Sequence, residues 1–211
     1  IYNGALDNAS GIACMLSVAK ALAGWTPRPK RSILFMTVTA EESGLLGSDY
    51  YAKHPTFPAG KIAVNFNMDG TNLLGRTKDL VVLGFGKTDL DDPLQNLAAL
   101  QERVVLPDQM PEKGSFYRSD HFSFAKTGIP SLSFETGLDV IGKPEGWGKA
   151  QVDEYTEKHY HQPSDEYDPA WNLEGAIEDA RLIFQLALQV ANQEAMPKWK
   201  PGDEFEKLRN P

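Results

Sequence analysis

The sequence predicts an α/β fold, a three-layer sandwich with a mostly parallel central sheet flanked by helices, on three observations. Short apolar runs rich in β-branched residues alternate with stripes at helical spacing. The runs are nearly continuous, as in strands covered on both faces. Acidic residues follow two of them, at the carboxyl ends where ligands gather in such folds.

The first helix is predicted by Ile12, Met15, Leu16, Ala19 and Leu22, which follow Asp7-Asn8-Ala9-Ser10-Gly11 and stop before Gly24 and the Pro27/Pro29 pair. Residues 33–39, Ile-Leu-Phe-Met-Thr-Val-Thr, read as a buried strand that ends at Ala40-Glu41-Glu42-Ser43-Gly44. A short helix is expected over 47–53. Pro55, Pro58 and Gly60 then break the chain before a strand over 62–68, which ends on Asp69. A third strand covers 80–83 and a helix about 92–101. Ser119 is placed to cap a short helix carrying His121, Phe122 and Phe124, before a fourth strand over 130–134.

Residues 137–169 are rich in Gly, Pro and charge, and read as a loop long enough to have a functional reason. The last helix runs over about 173–191, capped by Asn172, with Leu173, Ala176, Ile177, Ala180, Ile183, Phe184, Ala187 and Ala191 as its apolar face. Residues 1–196 are thus expected to form one catalytic domain, N-terminally incomplete, and 197–211 a polar C-terminal tail. The domain is read as incomplete because the chain starts at Ile1 without a Met and meets a dense motif by Asn3, before any strand is complete.

Composition removes several function classes. The 21 Lys and Arg against 29 Asp and Glu leave a net charge of −8, with no basic cluster to grip phosphates, so no nucleic-acid partner is expected. A lone cysteine, Cys14, allows neither an internal disulfide nor a thiolate metal cluster, and reads as a small buried hydrophobe. No run has the apolar length of a transmembrane helix.

Asp7, Glu41, Glu42 and Asp69 converge on one helix start and two strand ends. Crowded carboxylates repel one another and resist desolvation, and a bound cation explains their company. Oxygen ligands with imidazole suit zinc. Of His54, His121, His159 and His161, the last two lie in the long loop near Asp165, and spacing does not choose between them. Asp165 or Asp120 is placed to orient a ligating imidazole. Neighbouring glutamates point in different directions, so one can hold metal while the other takes a proton from the attacking water. The plainer readings are a helix cap for Asp7, solvated loop acids for the glutamates and a hydrogen-bonded loop histidine for His161. Their joint occurrence outweighs those readings.

The chain resembles the M28 family of zinc aminopeptidases in Gly4-Ala5-Leu6-Asp7-Asn8-Ala9-Ser10-Gly11, Ala40-Glu41-Glu42-Ser43-Gly44-Leu45-Leu46-Gly47-Ser48, Asn67-Met68-Asp69, Phe116-Tyr117-Arg118-Ser119-Asp120-His121 and Tyr160-His161-Gln162-Pro163-Ser164-Asp165. The resemblance implies a zinc exopeptidase-like fold and two zinc ions. Asp7 would bridge them, Glu42 and His161 would complete one ion and Asp69 would serve the other. Glu41 would be the general base, and Tyr160 would donate a hydrogen bond to the tetrahedral intermediate. It also implies peptide substrates with a free N-terminus and an extracytoplasmic setting. The family supplies a further zinc-binding histidine upstream of the bridging aspartate. The Asp69 ion is therefore expected to be weak or absent in these 211 residues, and an upstream segment is expected to complete the site. Phe116, Tyr117, Trp147 and Tyr155 are candidate pocket walls. The rival functions are a glutaminyl cyclase-like zinc transferase, a non-catalytic interaction domain, and a carboxypeptidase or dipeptidase preference on the same scaffold.

Overall fold

The computed structural model describes residues 2–209; the first residue of the expected domain and the last two of the expected tail lie outside the described residues. Four strands, β1 (Asn65–Met68), β2 (Asp79–Leu83), β3 (Val104–Leu106) and β4 (Ser131–Glu135), form a sheet in the order β1-β4-β2-β3. The β1/β4 and β2/β3 pairs are parallel and β2/β4 is antiparallel, so the sheet is mixed. β2, whose Leu80-Val81-Val82-Leu83 run has no polar residue, is buried throughout. Helix α3 (Asp91–Ala99) carries the chain from β2 to its parallel neighbour β3, as parallel pairing requires.

The alternation of β2 divides the core. Leu80 and Val82 join Leu132 and Phe134 of β4 in a cluster closed by α1 (Gly11–Ala23), α3 and α6 (Glu174–Asn192). Leu83 belongs to a second cluster with Phe116 and with Ala125 of α4 (His121–Ala125), while α2 (Leu46–Lys53) packs on α4. Helices thus cover the sheet in layers, as the pattern of the sequence predicts. Among the described residues, no helix is long and apolar enough to cross a membrane.

Four features differ from the sequence expectation. Residues 33–39 form no strand and do not join the sheet among the described residues. Their ends are tied by Arg31 N–H to the Ala191 carbonyl and by Gly47 N–H to the Thr39 carbonyl, both 2.9 Å. Ile33 and Phe35 face the core, whereas Leu34 is 58% exposed. An apolar run becomes a strand only where a neighbour takes its backbone N–H and C=O groups.

The long loop contains α5 (Trp147–Lys158), whose weak amphipathicity hid it. Residues of the expected polar tail pack inward: Trp199 and Phe205 are buried in the second cluster, and Trp199 Nε1 donates to the Gly128 carbonyl at 3.0 Å.

Finally, α6 buries Gly175, Asp179, Leu182, Ile183, Leu186, Val190 and Ala191. Of the stripe expected to be its core face, Ile183 and Ala191 are buried and Ala180 and Phe184 pack against the first cluster, while Ala176, Ala180 and Phe184 also line an open apolar groove of about 690 Å³ against Ala13, Cys14 and Val18 of α1. The buried face was hidden by Asp179, a charge that pattern reading assigns to solvent. It is inside because Arg103 Nη1 meets its Oδ1 at 2.6 Å, with both side chains enclosed.

Candidate metal centre

Asp7 lies in the turn Ala5–Ser10 that leads into α1, and neighbouring side chains fasten this turn on two sides. Asn8 Nδ2 donates to the Met68 carbonyl at 3.0 Å, while Asn8 Oδ1 accepts from the N–H groups of Gly11 and Gly70 at 3.1 and 2.8 Å. One amide thus joins the turn bearing Asp7 to the end of β1, where Asp69 follows. Gly11 is required here, since a Cβ would stand 2.1 Å from Asn8 Oδ1 and 2.4 Å from the Met68 carbonyl oxygen.

On the other side stands Asp165, 4% exposed. Its carboxylate accepts from the N–H groups of Leu6 and Asp7 at 2.9 and 3.1 Å and from the Tyr155 hydroxyl at 3.2 Å. Asp165 was one of two acids, with Asp120, expected to orient an imidazole; it holds the Asp7 turn. A buried carboxylate is stabilised by several N–H and O–H donors, and the turn supplies two of them.

Glu41 and Glu42 occupy a single helical turn, Glu41–Ser43, entered through a left-handed Ala40 (φ 57°) and left through Gly44 (φ 99°). His161, also left-handed (φ 57°), closes on them from beyond α5. Its Nε2 is 2.8 Å from Glu42 Oε1 and 3.4 Å from Asp7 Oδ2. One donor atom from each of Asp7, Glu42 and His161 lies within 4.8 Å of the other two. Four-coordinate zinc with ligands at ~2.0–2.2 Å holds them roughly 3.3 Å apart, so this oxygen–oxygen–nitrogen set fits zinc. Burial and the nearby Asp69 and Glu42 charges push the Asp7 carboxyl up to about 6.

His159 is not part of this group; its Nδ1 contacts Ser164 Oγ at 3.0 Å. The structure thus separates two histidines that spacing left equivalent. His54 is exposed, and His121 is fully buried, edge-on to Phe116 at 4.7 Å, with burial pushing its imidazole down to about 3.

Asp69 stands beside the three-donor group without belonging to it, and its charge acts on Asp7, Glu41 and Tyr160. Its Oδ2 accepts a 2.5 Å hydrogen bond from Ser119 Oγ. Ser119 was expected as a helix cap; its hydroxyl serves Asp69, and α4 has no side-chain cap.

Glu41 is pushed up to about 7 by burial and by the Asp69, Glu42, Asp120 and Asp7 charges. Tyr160 stacks on His161 with ring centroids 3.7 Å apart, and burial together with the Asp7 and Glu42 charges pushes its phenol up to about 12. It is therefore a protonated donor at neutral pH.

The candidate pocket aromatics have other partners. Phe116 is core, the Tyr117 hydroxyl donates to Glu204 at 2.8 Å, Tyr155 serves Asp165, and Lys143 Nζ sits 4.6 Å from the Trp147 ring centre. Sequence reasoning missed Asn8. Its signal was an amide directly after the acid in a turn-forming segment.

A family model described as Peptidase family M28 matches residues 1–185. Aminopeptidase YwaD of Bacillus subtilis (strain 168) is 29% identical over 216 residues, covering 98% of this chain and 43% of that relative. The crystal structure of Legionella pneumophila LapA aminopeptidase superimposes with a TM-score of 0.69 at 22% identity, over 92% of this chain and 48% of that one. Porphyromonas gingivalis glutaminyl cyclase has a TM-score of 0.57 at 16% identity, over 89% of this chain and 64% of that one. These two structures share the fold. The chain spans less than half the length of the curated relatives it matches.

Proposed function

Because the chain belongs to peptidase family M28, we propose that it hydrolyses peptide bonds with zinc, removing residues from peptides with a free N-terminus. The observation that carries this reading is the juxtaposition of Asp7, Glu42 and His161 as a zinc-sized donor set beside a partly buried Glu41 whose carboxyl is pushed up to about 7.

Asp7, Glu42 and His161 would hold one zinc ion. When bound, zinc supplies Lewis acidity to the scissile carbonyl and makes water acidic enough to ionise near neutral pH. Glu41 takes the proton of the attacking water and returns it to the leaving amine, a role suited to a carboxyl whose pKa lies near 7 before metal binds. Tyr160 donates its hydroxyl to the oxyanion developing on the carbonyl. Asp165 and Asn8 do no chemistry; they hold Asp7 in place.

A second ion at Asp7 and Asp69 forms part of the proposal. The family resemblance implies a further histidine ligand from outside these residues, so this ion is the weaker one here. Two equally tight ions in a zinc titration would contradict that assignment. The resemblance also supports an extracytoplasmic setting.

The test is zinc binding and aminoacyl-arylamide hydrolysis, measured together. Glu41→Gln is expected to keep zinc and to lower kcat by about 10²–10⁴, since the ligand set stays whole while the base is removed. Unchanged turnover would refute the role. Cyclisation of N-terminal glutamine peptides with loss of ammonia, in place of bond cleavage, would select the transferase.

A further inference from the structure

One side-chain amide lies at the centre of a hydrogen-bonded chain that the mechanism does not use. Asn67 of β1 donates through Nδ2 to Ser119 Oγ at 2.9 Å and to Ser133 Oγ at 3.2 Å. Each serine donates its own O–H to a carboxylate, Ser119 to Asp69 Oδ2 at 2.5 Å and Ser133 to Glu135 Oε1 at 3.1 Å. Both serines are buried, Ser119 at 8% exposure and Ser133 at 0%.

The pairing register makes this possible. Asn67 lies directly opposite Ser133 on β4; Glu135 stands two residues further along β4, and Asp69 follows the end of β1. A serine hydroxyl has one proton and two acceptor positions, whereas the nitrogen of an asparagine amide only donates. By giving an N–H to each serine, Asn67 occupies an acceptor position on both and leaves each hydroxyl proton to its carboxylate. An amide turned the other way would draw those protons to its own oxygen.

We propose that Asn67 is a positioning residue for Asp69, fixing through Ser119 which carboxylate oxygen is held by protein and leaving Oδ1 for the cation. Through Ser133 the same amide ties this ligand to Glu135 at the end of the neighbouring strand. The inference rests on the reading of Asp69 as ligand of the weaker ion. Partners of ligating groups set ligand direction, and their loss typically costs 10–100-fold in metal affinity.

The test is a cobalt(II) titration of the folded chain to millimolar concentration, followed by visible absorption, which separates a tight phase at Asp7, Glu42 and His161 from a weaker one at Asp69. Asn67→Leu, of similar size and without donors, is expected to weaken the second phase about 10–100-fold and to leave the first within about twofold. Ser119→Ala, which leaves the strand pair intact, should do the same. The double variant should be no worse than Ser119→Ala alone, because both act through one hydroxyl. Ser133→Ala should leave the weaker phase within about threefold, since the other N–H still reaches Ser119. An unaltered second phase in Asn67→Leu, or losses that multiply in the double variant, would overturn the positioning role. Asp69→Asn must abolish the second phase; if it does not, or if the parent chain shows none, the ligand reading itself falls and takes this inference with it.

Discussion

Lowering the pH from 7 to 5 should weaken zinc binding at least tenfold, and the reason lies at Asp7. Its carboxyl, at about 6 in the metal-free fold, must lose its proton before it can ligate. With that value the group is about 90% ionised at pH 7 and about 10% at pH 5. One ligand therefore costs about a factor of ten in apparent affinity, roughly 1.4 kcal/mol. Any other ligand that must shed a proton to bind adds to this factor, which makes tenfold the floor.

At pH 6 binding should expel about half a proton from Asp7, with a further contribution from Glu41, which stands at about 7 and feels the arriving charge. The sign for stability is opposite to that of an ordinary ion-paired acid. In the metal-free fold these raised carboxyls hold protons that the unfolded chain releases. Their stabilisation is complete below the unfolded values and is lost as pH rises through 6 to 7. Zinc removes that loss. Calorimetric titration at pH 5, 6 and 7, in buffers of differing ionisation enthalpy, measures affinity and proton release together. Affinity independent of pH, or release indistinguishable from zero at pH 6, would refute the argument. In Asp7→Asn the overall affinity should fall and Asp7's share of the pH dependence should vanish with it.

Two other outcomes test the surroundings of the centre. Tyr160→Phe should lower kcat by about 10²–10³ with little change in KM and with zinc binding retained, because a phenol above neutrality acts on the oxyanion and leaves the ground state alone; a steady-state comparison on an aminoacyl arylamide checks it. Asp165→Ala should cost about 2–4 kcal/mol in urea unfolding, since it strands the buried N–H groups of Leu6 and Asp7. It should also weaken zinc through the freed Asp7 turn, and a parent-like midpoint with parent-like zinc affinity would show that the turn holds without it.

The candidate site residues were legible in the chain because residue type and local motif mark them out. Asp7 before a capped helix, adjacent Glu41 and Glu42, Asp69 at a strand end and His161 beside Tyr160 can each be read within a few residues. The central strand was equally plain, since β2 is an apolar run covered on both faces. Tertiary structure decided what depends on distant partners. Residues 33–39 have the composition of a strand but no pairing neighbour in the sheet. His161 rather than His159 reaches Glu42 because the chain reverses beyond α5, at a left-handed residue. The buried face of α6 was decided by Arg103, 76 residues from Asp179 in the chain, which supplies the charge that lets an acid go inside. Periodicity reports that a face is apolar; it carries no record of which groups elsewhere in the chain will meet it, and those meetings set the burial of charge and the direction of each candidate ligand.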